Sequence, residues 1–308
     1  MSTSVLYDVP GPRAIARNRV LAVLTILVVL SIIGFVLYRF SLTGQFSATK
    51  WGIFTYAAVW EQILGALGKT LAAFGLAAVL SLVVGFALAI GRLSDHAWVR
   101  RPVTAITELF RAVPVLVMMM LLYYGLPSVG VRMDPYWAVV IALVIYNGSV
   151  LAEALRAGIE SLPRGQKEAG YAIGLRKNGV MRLILLPQAV RAMLPVIIAQ
   201  LVVTMKDTAL GFIITYPELL YLAKQLSSNA QFQQPLLQSA FVIGGIYIVM
   251  CLIMSWIAHR LEQRLRRSPG ADGGRATPTG TVPVQPGDPR LHTEATVTEV
   301  LSVQRGQE

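Results

Sequence analysis

Glu168-Ala169-Gly170, then Gly174, then Ile184-x-Leu186-Pro187 punctuate a charged block, 153–187, that carries six Lys/Arg between two strongly apolar segments. Pro163 and Gly165 divide the block into two short helical pieces, and Asn178-Gly179 is a stop signal. In the second piece, Gln166 to about Arg176, residues Ala169, Ala172 and Ile173 recur at helical spacing as a narrow apolar strip. Gly170 and Gly174, four apart, predict a groove that another backbone or side chain can approach closely. Arg164, Lys167 and Arg176 supply a charged rim. The chemistry these residues offer is recognition: a short helix with a small-residue face, lying across a membrane surface, is built to dock.

A second set of polar residues lies inside apolar segments, where such groups are costly and face a partner or a cavity. Tyr146, Ser149 and Glu153 follow an i, i+3, i+7 spacing and share one helix face, with Asn147 midway along the same segment. Gln200, Thr204 and Asp207 or Thr208 align in the next segment. Lys206-Asp207 presents both signs of charge, which suits the carboxylate and amine of a zwitterion. Ordinary hydrogen bonding between helices is the competing account of each of these residues. Arg111, three residues after Glu108, is read as a local ion pair, and Met118, Met119 and Met120 as packing. His96, His259 and His292 have no metal-ligand spacing, and the single cysteine, Cys251, sits in an apolar stretch.

The elements that must position these groups are membrane helices. Of 308 residues, 55% are hydrophobic and 14% charged, with a mean hydropathy of +0.60. Those values fall in the polytopic membrane range. The net charge of +11 does not mark a nucleic-acid binder, because the basic residues flank apolar segments instead of forming a stripe. A span needs about 20 apolar residues, and six segments qualify: roughly 20–38, 65–91, 107–126, 136–155, 187–210 and 237–258. The first follows Arg13, Arg17 and Arg19 and reads as an uncleaved transmembrane helix rather than a secretion signal.

With the N-terminus inside, sixteen Lys/Arg fall on inner segments and five, Arg39, Lys50, Arg132, Lys206 and Lys224, on outer loops. Both termini are therefore expected to be cytoplasmic. Trp51, Phe54, Tyr56 and Trp60 suit an outer interfacial segment. Residues 266–308, rich in Pro, Gly and Thr, read as a disordered cytoplasmic tail.

Glu168-Ala169-Gly170-x-x-x-Gly174, nine residues, then Ile184-x-Leu186-Pro187 resembles the EAA loop of the membrane-spanning subunits of ABC importers, with Gly170 in place of the family's second alanine. Glu108-Leu109-Phe110-Arg111-Ala112-Val113-Pro114, Glu153 to Ile159 and Lys206-Asp207-Thr208-Ala209-Leu210 are similar to segments of the polar amino-acid branch, and the chain resembles the glutamate-type permeases in particular, some of which carry a similar additional N-terminal helix. The resemblance covers about residues 63–265. It implies an all-α, polytopic fold: the five-helix core of a type I importer plus one extra N-terminal transmembrane helix in 1–62.

It also implies a division of labour. This chain pairs with a second permease chain (itself or a sibling) in the plasma membrane, above two ATPase subunits that use ATP and Mg. An extracellular binding protein delivers a polar amino acid. Glu168, Ala169, Gly170 and Gly174 would dock on the ATPase, with Arg164, Lys167 and Arg176 as the rim. The chain itself has no Gly-x-x-x-x-Gly-Lys-Ser/Thr loop to cradle phosphates and is expected to bind no cofactor. A self-sufficient ion-gradient transporter or channel is the competing class; it predicts broken helices and inverted repeats.

Overall fold

The computed structural model describes residues 11–266, all of them in helices, turns and connecting loops. The expected tail lies outside the described residues apart from Arg266, which closes the last helix. Helix α1 (Pro12–Leu42) starts where Pro12 supplies a preset φ at the first position. None of its 31 residues is buried, so its Val, Leu and Ile side chains point outward all round. A short turn, α2 (Ala48–Trp51), and a 3-10 turn, Gly52–Thr55, follow. There Trp60 Nε1 donates to the Phe54 carbonyl at 2.9 Å, and the rings of Tyr56 and Phe232 meet edge to face at 5.6 Å.

Helix α3 (Ala57–Arg92) has 36 residues, about 54 Å at 1.5 Å per residue, longer than a hydrocarbon core of about 30 Å. Its main partner is α6 (Pro135–Glu160), which opens with Asp134 accepting from the Tyr136 N–H at 2.8 Å. The two helices meet through small residues. A Cβ on Gly85 would lie 2.8 Å from the Leu151 Cβ and 3.1 Å from the Gly148 carbonyl oxygen, so the approach excludes any larger residue. Close backbone approach of this kind gives membrane helices the dispersion contacts that hydrophobic burial cannot supply in lipid.

Between them, α4 (Ala97–Ala112) and α5 (Val115–Met120) form a corner. The span expected at 107–126 is not one continuous helix: α4 and the helical run Val115–Val129 are bent by 96°. Pro114 explains the break, since it drives the preceding Val113 to extended backbone (φ −85°, ψ 122°). The helix resumes at Val115 and passes through a π-turn, Leu121–Gly125.

After α6 come α7 (Arg164–Ala172) and a one-turn α8 (Lys177–Gly179). A π-turn, Val180–Leu185, then runs directly into α9 (Leu186–Asp207), which tolerates Pro195 in its interior. Helix α10 (Leu219–Ser227) is capped by buried Glu218, whose carboxylate accepts from the N–H groups of Leu220 and Tyr221, each at 2.7 Å, and from the Tyr247 hydroxyl at 2.6 Å. Burial pushes the Glu218 carboxyl up, opposed by those three donors. Helix α11 (Leu236–Arg266) ends the described chain.

Among the described residues five helical runs are long and apolar enough to cross a membrane, Pro12–Leu42, Ala57–Arg92, Pro135–Glu160, Lys177–Ile214 and Leu236–Arg260, and the bent pair counts as a sixth where its two arms are taken as one span. Four buried clusters stack along the bundle. One surrounds Ile63, Met205 and Ile243, one Met119, Leu143 and Ile214, one Leu151, Leu155 and Ile197, and the last Ile159, Val180, Leu185 and Ala189. The last of these supports the charged loop.

Candidate functional site

The charged loop folds as a short helix seated at Gly170 and tied to α9 where Gln188 Nε2 donates to Gln166 Oε1 at 3.2 Å. Gly170 is the only buried residue of α7, and a Cβ there would meet Ile184 Cδ1 at 2.8 Å and Val180 Cγ2 at 2.9 Å. The groove expected between Gly170 and Gly174 is therefore filled by this chain's own side chains. Gly174 has a different role. Its φ of +84° places it in the left-handed region, where it ends the helix while the Leu175 N–H returns to the Gly170 carbonyl at 3.2 Å. No atom lies within 4 Å of a Cβ built on Gly174.

With Gly170 facing inward, the remainder of α7 is exposed. Arg164, Lys167, Glu168, Ala169 and Ala172 are exposed, as are Gly174 and Arg176 beyond it. Tyr171 and Ile173 are 41% and 76% exposed, and Lys167 Nζ lies 5.9 Å from the centre of the Tyr171 ring. The apolar strip of Ala169, Ala172 and Ile173 is thus uncovered within this chain. Next to it, Lys177 Nζ donates to the Leu93 carbonyl at 3.1 Å and pairs with Asp95 in the turn after α3. The hydrogen bond from Lys177 holds the Asp95 carboxyl below its ordinary range, against a smaller opposing effect of burial.

One residue before Leu93 stands a cluster of three arginines and three glutamates. Arg92, whose side chain is 7% exposed, places Nη2 2.9 Å from Glu108 of α4 and Nη1 2.8 Å from Glu153 of α6. Arg111 lies 3.2 Å from Glu108, as its i, i+3 spacing predicted, and 3.9 Å from Glu153. Arg156 completes the cluster at 2.6 Å from Glu153 and 2.5 Å from Glu160. Three helices are joined at one end of the bundle by equal numbers of opposite charges.

The second polar set is divided by the structure. Asn147, fully buried, accepts from Gln200 Nε2 at 2.6 Å across α6 and α9 and donates to the Leu143 carbonyl at 2.9 Å. Ser149 and Thr204, both buried, donate to carbonyls of their own helices, Ile145 and Gln200, at 2.8 Å. Tyr146 packs against the cluster around Leu143. Asp207 is half-buried at the end of α9 beside exposed Lys206. Asn147, Gln200 and Thr204 come together, whereas Glu153 belongs to the arginine cluster.

Residues 81–267, more than half the chain, match the family described as the inner membrane component of binding-protein-dependent transport systems. The chain belongs to that family. This inner membrane component is 40% identical over 258 residues to the glutamate transport system permease protein GluD of Corynebacterium glutamicum, a match spanning 82% of this chain and 92% of that one. It is 32% identical to the glutamine transport system permease protein GlnP of Escherichia coli K12, over 68% and 89% of the two chains. A solved structure described as an amino acid ABC transporter with histidines superposes with a TM-score of 0.62 at 28% identity, covering 69% of this chain and 97% of the other. The inner membrane component is thus a multi-pass permease subunit and is not itself catalytic.

Reasoning from sequence missed Arg92, Asp95 and Lys177 as a connected group. Their partners lie 16 to 84 positions away, beyond the reach of helical spacing. The available signal was partial: Arg92 stands where the apolar run 65–91 ends.

Proposed function

We propose that this chain is the translocation subunit of an ABC importer for a polar amino acid, glutamate foremost, driven by two separate ATPase subunits and fed by an extracellular binding protein. The observation that carries this reading is α7. Nine residues are seated through one buried glycine and the Gln188–Gln166 hydrogen bond, and the apolar strip of Ala169, Ala172 and Ile173 is left uncovered. An exposed apolar strip with a charged rim is a surface for a protein partner. The relatives named for glutamate and glutamine transport support the class of cargo.

The excess of Lys/Arg beside α7 supports a cytoplasmic location for that end of the bundle and for both termini. A second permease chain, another copy or a sibling, completes the pathway. In the working cycle the ATPases close on ATP and Mg and displace α7. Gly170 seats that helix on Val180 and Ile184, residues of the π-turn that continues into α9. Displacement of α7 is therefore displacement of the helix that carries Gln200 and Asp207. These two residues are the proposed substrate contacts on the pathway, with Asn147 orienting Gln200 and with Tyr146, Ser149, Glu153 and Thr204 shaping the helices around them.

The test is reconstitution of the chain in liposomes with its ATPase and binding protein, measuring uptake of labelled glutamate, glutamine and arginine. Uptake that requires ATP and the ATPase supports the reading. Uptake that persists when the ATPase is left out replaces it with a gradient-driven transporter.

A further inference from the structure

Two clefts flank the seam between the docking loop and the rest of the bundle. A cavity of about 340 Å³ lies on one side, bounded by Leu93, Asp95, Arg164, Lys167, Tyr171 and Lys177 among others. A second, of about 200 Å³, lies on the other side between Ser94, Asp95, His96 and Lys177. Between the two clefts Leu93 packs against the cluster of Ile159, Val180, Leu185 and Ala189. A polar link crosses the seam beside that packing, through Lys177. Its ammonium reaches 84 positions back along the chain to the Leu93 carbonyl at 3.1 Å, and it pairs with the Asp95 carboxylate.

The place where it lands matters. Leu93 caps the C-terminus of α3 and packs against the cluster of Ile159, Val180, Leu185 and Ala189. Arg92, its neighbour in the chain, is the buried arginine that joins α3 to Glu108 and Glu153. Two polar connections therefore stand on consecutive residues, one facing the loop and one facing α4 and α6. Together they form a continuous path from α8 to the corner helix that does not pass through α9.

We infer that Lys177 is a positioning residue of the coupling step, binding the docking loop to the turn after α3 so that movement of α7 reaches the Arg92 cluster. The inference rests on the importer reading above and adds to it a second route of transmission beside the one through the π-turn. Lys177 touches neither nucleotide nor cargo; it acts through Leu93 and Asp95. The ion pair itself is exposed, with the Asp95 side chain at 74%, and exposed pairs contribute little to folding. Its substitution therefore leaves the fold and the docking face intact.

The test uses the complete complex, with ATPase and binding protein, in proteoliposomes where ATP hydrolysis and labelled substrate uptake are measured together. Lys177→Gln, too short to span the seam, is expected to co-purify with the ATPase as the natural chain does. It should lower substrate moved per ATP at least about fivefold, the lower end of coupling effects between linked sites. Lys177→Arg keeps a donor of sufficient length and is expected to restore the ratio. Unchanged coupling in Lys177→Gln overturns the inference, as does equal loss in Lys177→Arg. Should Lys177→Gln fail to yield the assembled complex, Asp95→Asn at its exposed position is read in its place, and normal coupling there overturns the inference. Failure of the importer reading would show in the natural chain itself, as uptake indifferent to ATP, and would overturn both.

Discussion

The guanidinium of Arg92 and the carboxylate of Glu153 lie 2.8 Å apart although 61 positions separate them, and this pair, with Glu108 alongside, ties α3 to α4 and α6. Arg92→Met removes the buried cation shared by Glu108 and Glu153 and leaves those carboxylates to Arg111 and Arg156. Because those partners remain and Glu108 is half exposed, the expected loss is about 2 kcal/mol rather than the larger figure for an uncompensated buried charge. Thermal unfolding in detergent checks it, with Arg92→Lys expected to fall between the two.

Gly170→Leu should separate the docking loop from its seat. A side chain there collides with Ile184 and Val180, and overpacking of this kind costs about 1–3 kcal/mol. The chain is expected to insert in the membrane normally and to lose its ATPase on co-purification. Retention of the ATPase at the natural ratio would show that α7 can be docked from another position.

At Gly174 the constraint is conformational. Nothing crowds the site, but φ is +84°, and an L-residue in the left-handed region costs about 1–2 kcal/mol. Gly174→Val should reduce coupling more than Gly174→Asn, since asparagine tolerates that region. The two substitutions differ little in steric demand on any neighbour, so equal effects would point to a contact made by a partner chain instead.

For Asn147 and Gln200 a double-mutant cycle to alanine is expected to give a coupling energy of roughly 0.6 kcal/mol, the average for polar contacts between membrane helices. If Gln200 also meets cargo, Gln200→Ala raises the substrate concentration for half-maximal uptake while Asn147→Ala changes it less. Equal shifts would assign the pair to helix packing alone.

The contact between Asp95 and Lys177 gives a pH prediction. Lys177 holds the Asp95 carboxyl below its ordinary value, so the contribution of the pair is complete above that value and is lost only as pH falls through the depressed one. Substrate moved per ATP should therefore not vary on account of this pair from about pH 5.5 to 8. A dependence within that window that disappears in Asp95→Asn would contradict the assignment.

Much of the architecture could be read from the chain because hydrophobic length is a local property. The apolar runs at 65–91, 136–155 and 237–258 each lie inside an observed helix. Pro114 carried the signal for the corner, but the apolar stretch around it concealed the break. At the loop, glycine at 170 and 174 announced two special positions without distinguishing their causes, a close approach at one and a positive φ at the other. The Glu108–Arg111 pair followed from spacing, whereas Arg92 between Glu108 and Glu153 depends on how three helices converge, which no single segment records.

A nearly square elbow exchanges one motion for another. Because α4 and α5 meet at 96°, a roll of α4 about its own long axis sweeps α5 sideways through an arc, and the ionic grips on Glu108 and Arg111 act as the brake on that roll.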